Sequence, residues 1–216
     1  MRLLFAFLLL VIAGSALAQP YGSYKPEKVQ KGAQLDLDYL DEMLGDLSMH
    51  ARNQPARFDG PQDRARAEND VRGLIRLLDK RAADPKADAE LLVRAAYVQN
   101  LGHNLGFPGA GDKADALYRR LLKVEPGHPR GSLFYGVFLA GNGKQRESIP
   151  HLEVAARNGA PDAIWGLGMV HFSLGNKEKA LAYLEDYRKK VPRDVNADRA
   201  INAIRSGKSA AEVAPK

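Results

Sequence analysis

The stretch LGMVHFSLGNKEKALAYLEDYRKKVP, Leu167 to Pro192, sets Gly168 and Gly175 seven residues apart inside a segment whose other residues favour helix. Glycine in a helix interior is about 1 kcal/mol less favourable than alanine, so each needs a packing or turn reason. A fixed period supplies it. Gly168 has counterparts at Gly136 and Gly102, and Gly175 at Gly143 and Gly109, at intervals of 32 and then 34 residues toward the N-terminus. The same intervals join Ala180 to Ser148 and Ala114, and Leu184 to Leu152 and Tyr118. Pro192 matches Pro126, with Ala160 between them. The chain therefore contains three units, 95–128, 129–160 and 161–194.

Each unit holds two apolar-periodic segments split by a glycine-bearing turn, GAGDK, GNGK or GNK, which predicts a helical hairpin. The first glycine and the small residue at Ala114, Ser148 or Ala180 let the paired helices approach, and the proline restarts the chain after the second helix.

These residues resemble tetratricopeptide repeats. That pattern asks for a large residue, Leu-Gly, an aromatic, a turn glycine, a small residue, a large residue and a closing proline. The last unit supplies Ile164, Leu167, Gly168, His171, Gly175, Ala180, Leu184, Tyr187 and Pro192. The first supplies Val98, Leu101, Gly102, Leu105, Gly109, Ala114, Tyr118, Leu121 and Pro126. The middle unit, with Tyr135, Gly136, Leu139, Gly143, Ser148, Leu152 and Ala155, is two residues shorter and lacks the proline. The resemblance covers residues 95–194. It implies an all-α fold: a right-handed superhelical array of antiparallel helical hairpins, a tetratricopeptide-like α-solenoid whose first helices line a concave groove.

Upstream, residues 35–94 predict N-terminal helices. Leu37, Leu40, Met43, Leu44 and Leu47 have helical spacing, NQPARFDGPQ at 53–62 breaks it, and Val71, Leu74, Ile75 and Leu78 resume it. Gly73, Leu77 and Pro85 stand where the small, large and proline positions of a degenerate fourth unit would fall. Downstream, Val195, Ile201 and Ile204 predict a capping helix over 195–207, followed by a frayed tail, 208–216. No segment alternates convincingly as a strand.

Arg2, the apolar run Leu3 to Ala13 and the ending Ala16-Leu17-Ala18 have the order of a cleavable signal peptide over residues 1–18. The expectation is export to a periplasm with cleavage after Ala18, or release to the outside. Losing Arg2 takes the formal charge from +6 to +5. Residues 19–34, poor in apolar side chains, read as a flexible leader. The absence of cysteine removes thiolate catalysis and zinc-cysteine sites. The mature sequence contains no transmembrane segment.

Catalytic signals are sparse. The five histidines form neither an H-x-x-x-H pair nor H-E-x-x-H, and His171 occupies a core position of its unit. DLDYLDEMLGD, Asp36 to Asp46, lacks the glycine and closing glutamate of a calcium loop and reads as an acidic helix face. Nucleophile-elbow, phosphate-loop and dinucleotide fingerprints are missing. The expectation is a protein that is not an enzyme and needs no cofactor. Arg72, Arg76 and Lys80 make one basic stripe, and Lys189, Lys190 and Arg193 a second cluster. They suit a solvated helix face or weak attraction to anionic envelope surfaces, not nucleic acid, for want of interleaved aromatics.

The resemblance places Gln99, His103, Arg130, Leu133, Val137, Trp165, Met169 and Phe172 on the groove. This set is apolar enough to take a hydrophobic peptide or helix. Trp165 stands one residue after the family's large position, turned about 100° from the hairpin core. With Met169 and Phe172 it forms one stripe, predicted to be half exposed as a binding anchor. The function expected is a non-enzymatic scaffold or adaptor of the cell envelope that binds a protein or peptide. The alternatives are a structural subunit whose groove is filled by its own N-terminal helix or by a second copy, and an envelope hydrolase or its cofactor. Oligomeric state stays open.

Overall fold

The computed structural model describes residues 20–209. The signal-peptide reading of 1–18 and the tail from residue 210 lie outside them. The chain divides at Gly127 into two units, whose described parts are residues 20–126 and 127–209.

In residues 127–209 the hairpin rule is plain. α5 (Pro129–Gly141) pairs with α6 (Gln145–Arg157), and α7 (Pro161–Ser173) with α8 (Lys177–Lys190). Gly143 and Gly175 turn the chain at φ +78° and +79°, a left-handed region that favours glycine. His128 caps α5, its Nδ1 accepting from the Gly131 amide at 3.0 Å. A Cβ added at Gly136 would stand 2.7 Å from Leu152 Cγ, and one at Gly168 2.8 Å from Leu184 Cγ. Each glycine thus lets a leucine of the paired helix sit against its backbone. α9 (Val195–Arg205) closes the unit by packing Ala197, Ala200, Ile201 and Ile204 onto the last hairpin.

In residues 20–126 a hairpin is joined by helices that pack on it from farther along the chain and by a leader that packs on those helices. α1 (Leu37–Ala51) is capped by Asp36, which accepts from the Tyr39 amide, and buries Leu40, Met43, Leu44 and Leu47. α2 (Pro61–Ala82) starts on a proline and buries Ala67, Val71, Leu74 and Leu78. α3 (Ala89–Asn104) pairs with α4 (Ala110–Val124) through a turn at Gly109, φ +73°. Because α1, α2 and α4 all pack on α3, its burial runs round the helix, from Leu92 and Val93 through Ala96 to Gln99 and Asn100. The first hairpin begins at Ala89, ahead of the boundary expected at 95.

Three expectations change here. The leader is not flexible: Pro26–Val29 forms a 3-10 turn, Tyr21 and Val29 are buried, and the segment packs on α1 and α2. Tyr21 Oη donates to Asp70 Oδ2 at 2.8 Å, the Gly22 amide donates to Asp46 Oδ2 at 2.9 Å, and Arg66 Nη2 donates to the Tyr21 carbonyl at 2.9 Å. Two buried side chains and these three long-range hydrogen bonds hold it in place. The all-helical reading also misses a short antiparallel ladder, β1 (Gln30–Lys31) with β2 (Gln34–Leu35). Residues 54–85 supply one long helix, α2, rather than a hairpin, and Gly73 meets Pro26 of the leader, 2.9 Å from a Cβ there, instead of a paired helix.

Candidate functional site

The expected groove residues fall in both units, Gln99 and His103 in the first and the other six in the second. Gln99 is only 1% exposed, and its Nε2 donates to Asp79 Oδ1 at 2.8 Å, while Asp79 Oδ2 holds Lys113 at 3.0 Å. It is a buried polar link from α3 to α2. His103 is half-buried, its ring covering Gly111, where a Cβ would come within 2.8 Å of Nδ1. Gln99 offers no free surface, and His103 only a partial one.

Trp165, Met169 and Phe172 share one helical face, as their spacing requires, but that face is closed. Their exposures are 4%, 8% and 4%, and they form one core cluster with Tyr187 and the apolar side of α9. Trp165 meets Tyr187 at a ring separation of 5.3 Å, tilted 59°. Its Nε1 is buried without a hydrogen-bond partner, an unsatisfied donor whose desolvation is a cost of closing this face. The half-exposed Trp165 anchor is therefore corrected: the capping helix takes the place assigned to a partner. Tyr187, whose Oη donates to Asp194 Oδ2 at 2.7 Å, ties that cap to α8, and burial pushes its phenol well above the usual range.

Of the predicted set, Arg130 remains exposed on α5, with Leu133 and Val137 half-buried beside it and packed partly on the α6–α7 core. His171 stacks flat on Tyr183, ring centroids 5.5 Å apart. Burial, with the nearby Lys179, holds the His171 imidazole below its ordinary pKa, and Glu153 opposes the shift.

A surface that the repeat register did not single out lies in residues 20–126. The β1–β2 ladder, the end of α2 and the start of α3 enclose a cleft of about 660 Å³. Its apolar side chains include Leu35, Leu37, Leu77 and Leu91, and Lys80, Arg81 and Lys86 stand at it opposite Asp84, Asp88 and Glu90. A second cleft, about 650 Å³, shares Gln30 and Leu77 with the first and adds Arg76 and Asp70. The basic stripe on α2 was a signal for this region; the leader's return over α2 was not legible. Among the described residues, no three histidine, aspartate or glutamate side chains stand together as metal ligands, and no helix is long and apolar enough to cross a membrane.

A tetratricopeptide-repeat family model matches residues 109–163 and again 141–195. Among solved structures, a thermophilic tetratricopeptide-repeat protein of Thermus thermophilus is similar, at 14% identity and a TM-score of 0.54, over 78% of this chain and 91% of that one. No curated protein matches the chain. The structural similarity speaks for the fold, and the matched residues span α4 to the start of α9, where the glycine–leucine contacts repeat.

Proposed function

Because residues 109–195 match a tetratricopeptide-repeat family model, we propose that this chain is a non-enzymatic interaction module exported to the bacterial periplasm, where it binds a protein or peptide of the cell envelope. Tetratricopeptide repeats generally mediate protein–protein interaction, and stacked hairpins offer extended surfaces for it. The observation that carries the reading here is the α5 face, where exposed Arg130 adjoins half-buried Leu133 and Val137. This face takes over the role first given to Trp165. Export rests on the order of residues 1–18, and intact-mass analysis of the exported chain should give a product starting at Gln19. A product retaining 1–18 would sink that part.

Crosslinking of the exported chain in envelope extract tests the binding face. Leu133→Asp with Val137→Asp should remove the captured partner while circular dichroism stays helical. Capture at undiminished yield would place the interaction elsewhere. A second reading, a structural subunit whose groove is filled by the chain itself, is favoured by α9 over Trp165, Met169 and Phe172. A chain truncated before Val195 that stays monodisperse and gains no binding would argue against it.

A further inference from the structure

We propose that the face of α1 and α2 beneath the leader is a recognition site for an extended Tyr-Gly peptide supplied by a partner protein, and that the chain's own residues 21–29 fill it as a built-in competitor. The site is separate from the α5 face and does not depend on it.

The leader is held as a bound peptide is held, by side chains that read its main chain. The Tyr21 carbonyl accepts from Arg66 Nη2, the Gly22 amide donates to Asp46 Oδ2, and the Lys25 amide donates to Tyr39 Oη, each at 2.9 Å. Tyr21 is the anchor, its ring edge-on to His50 at a centroid separation of 5.8 Å and its hydroxyl on Asp70. Burial pushes the Asp70 carboxyl up, so this oxygen needs a donor; Glu27 adds to the shift, and the Tyr21 hydroxyl and Arg66 oppose it. The next position favours glycine, because a Cβ at Gly22 would stand 2.8 Å from the Tyr24 ring and 3.0 Å from Asp46 Oδ2. Tyr24 and Pro26 follow at alternate positions, both half-buried, with Pro26 over Gly73.

Two observations make this occupant exchangeable. Between Tyr21 and Val29 every leader residue is half or fully exposed, whereas α1 and α2 bury apolar rows of their own, Leu40, Met43 and Leu47 on one and Val71, Leu74 and Leu78 on the other. The helices therefore keep a core when the leader lifts. The leader's fit is also incomplete. His50, the ring beside Tyr21, keeps Nε2 buried without a hydrogen bond, 3.5 Å from Asp46 Oδ1, so a ligand that answers this atom has an advantage over the leader. A second copy would bring the same leader with the same shortfall, against a competitor already tethered beside the site. The favoured occupant is thus a different chain.

The probe is acetyl-Tyr-Gly-Ser-Tyr-Lys-Pro-Glu-Lys-Val, the sequence of residues 21–29, with fluorescein at its C-terminus, titrated by anisotropy with the full chain. Tyr21→Ala removes the anchor of the competing leader and leaves the site intact. Saturable binding is expected to that variant, and binding at least tenfold weaker to the unaltered chain. Phenylalanine in place of the peptide's first tyrosine should weaken binding to Tyr21→Ala at least tenfold, and alanine in place of its glycine several-fold. Adding Asp70→Ala to the Tyr21→Ala chain should weaken the tyrosine peptide about as much and leave the phenylalanine peptide unchanged, a coupling that general loss of structure would not produce. Circular dichroism checks each variant, and the phenylalanine peptide tests the anchor without Asp70→Ala. No saturable binding to Tyr21→Ala, equal binding to the unaltered chain, or equal binding of the phenylalanine peptide would overturn the proposal. So would dimerisation of the unaltered chain at rising concentration that Tyr21→Ala abolishes, which would seat a second copy's leader in the site. Leu133→Asp should leave peptide binding intact, which separates this site from the α5 face.

Discussion

Residues 127–209 and residues 20–126 use the same device, a glycine on a helix face, to opposite ends. In the first, Gly136 and Gly168 each receive a leucine sixteen residues onward, Leu152 and Leu184, so the contact stays within its hairpin. In the second, a Cβ at Gly102 would stand 3.2 Å from Ile75 Cδ1 of α2 and as close to Phe107, and one at Gly73 would meet Pro26 of the leader. Where the contact is local it repeats, and where it reaches a distant segment it is particular to one place. The period therefore identifies the hairpins but says nothing of what lies against their outer faces.

Four measurements would break or sharpen this contrast. Trp165→Ala should destabilise the chain by about 3–5 kcal/mol in chemical denaturation, as for a core aromatic. The native protein should show short-wavelength emission with little acrylamide quenching; a readily quenched indole would reopen the groove reading. Gly136→Ala and Gly168→Ala should each cost about 1–3 kcal/mol from overpacking, even after alanine's helix gain of about 1 kcal/mol, because a branch-point carbon is the near atom. Gly102→Ala should fall within about 1 kcal/mol of zero, since the Ile75 terminal methyl can turn aside. Equal losses at all three sites would erase the distinction. Gly73→Ala should change global stability little, yet release the leader and speed proteolysis within residues 21–31; unaltered cleavage would show that Pro26 does not hold it.

The smallest effect is a pH slope. His171 has a folded pKa below its unfolded value, so its contribution is present above about pH 6.5, the ordinary histidine value, and is lost as pH falls through that value toward the folded one. His171→Leu, matching Leu139 and Leu105 in the other units, should flatten stability between neutral and mildly acidic pH. A slope unchanged in that variant would assign it to another group.

The hairpins were legible because each unit repeats the same short-range contact, and Ile201 with Ile204 announced an apolar helix after them. The stripe of Trp165, Met169 and Phe172 was also legible as one face. Its covering was not, because which apolar face α9 meets depends on the turn at Asp194, where Tyr187 and the Asn196 amide both bond the carboxylate. The leader was misread for a related reason. Tyr21 and Val29 are too widely spaced to form a pattern, and the groups that bury them, Asp70 and Asp46 among them, are dozens of residues away. The cleft beside α2 inherits that difficulty, since one of its walls is the leader's own ladder.

The cap on the last hairpin also bears on the order of synthesis. α9 is made after every residue it covers, so a nascent chain that has reached only Pro192 still presents Trp165, Met169 and Phe172 to its surroundings. A prematurely terminated product would carry an adhesive aromatic face that the finished protein hides, making loss of eleven helical residues visible to chaperones and proteases as a mark of an unfinished molecule.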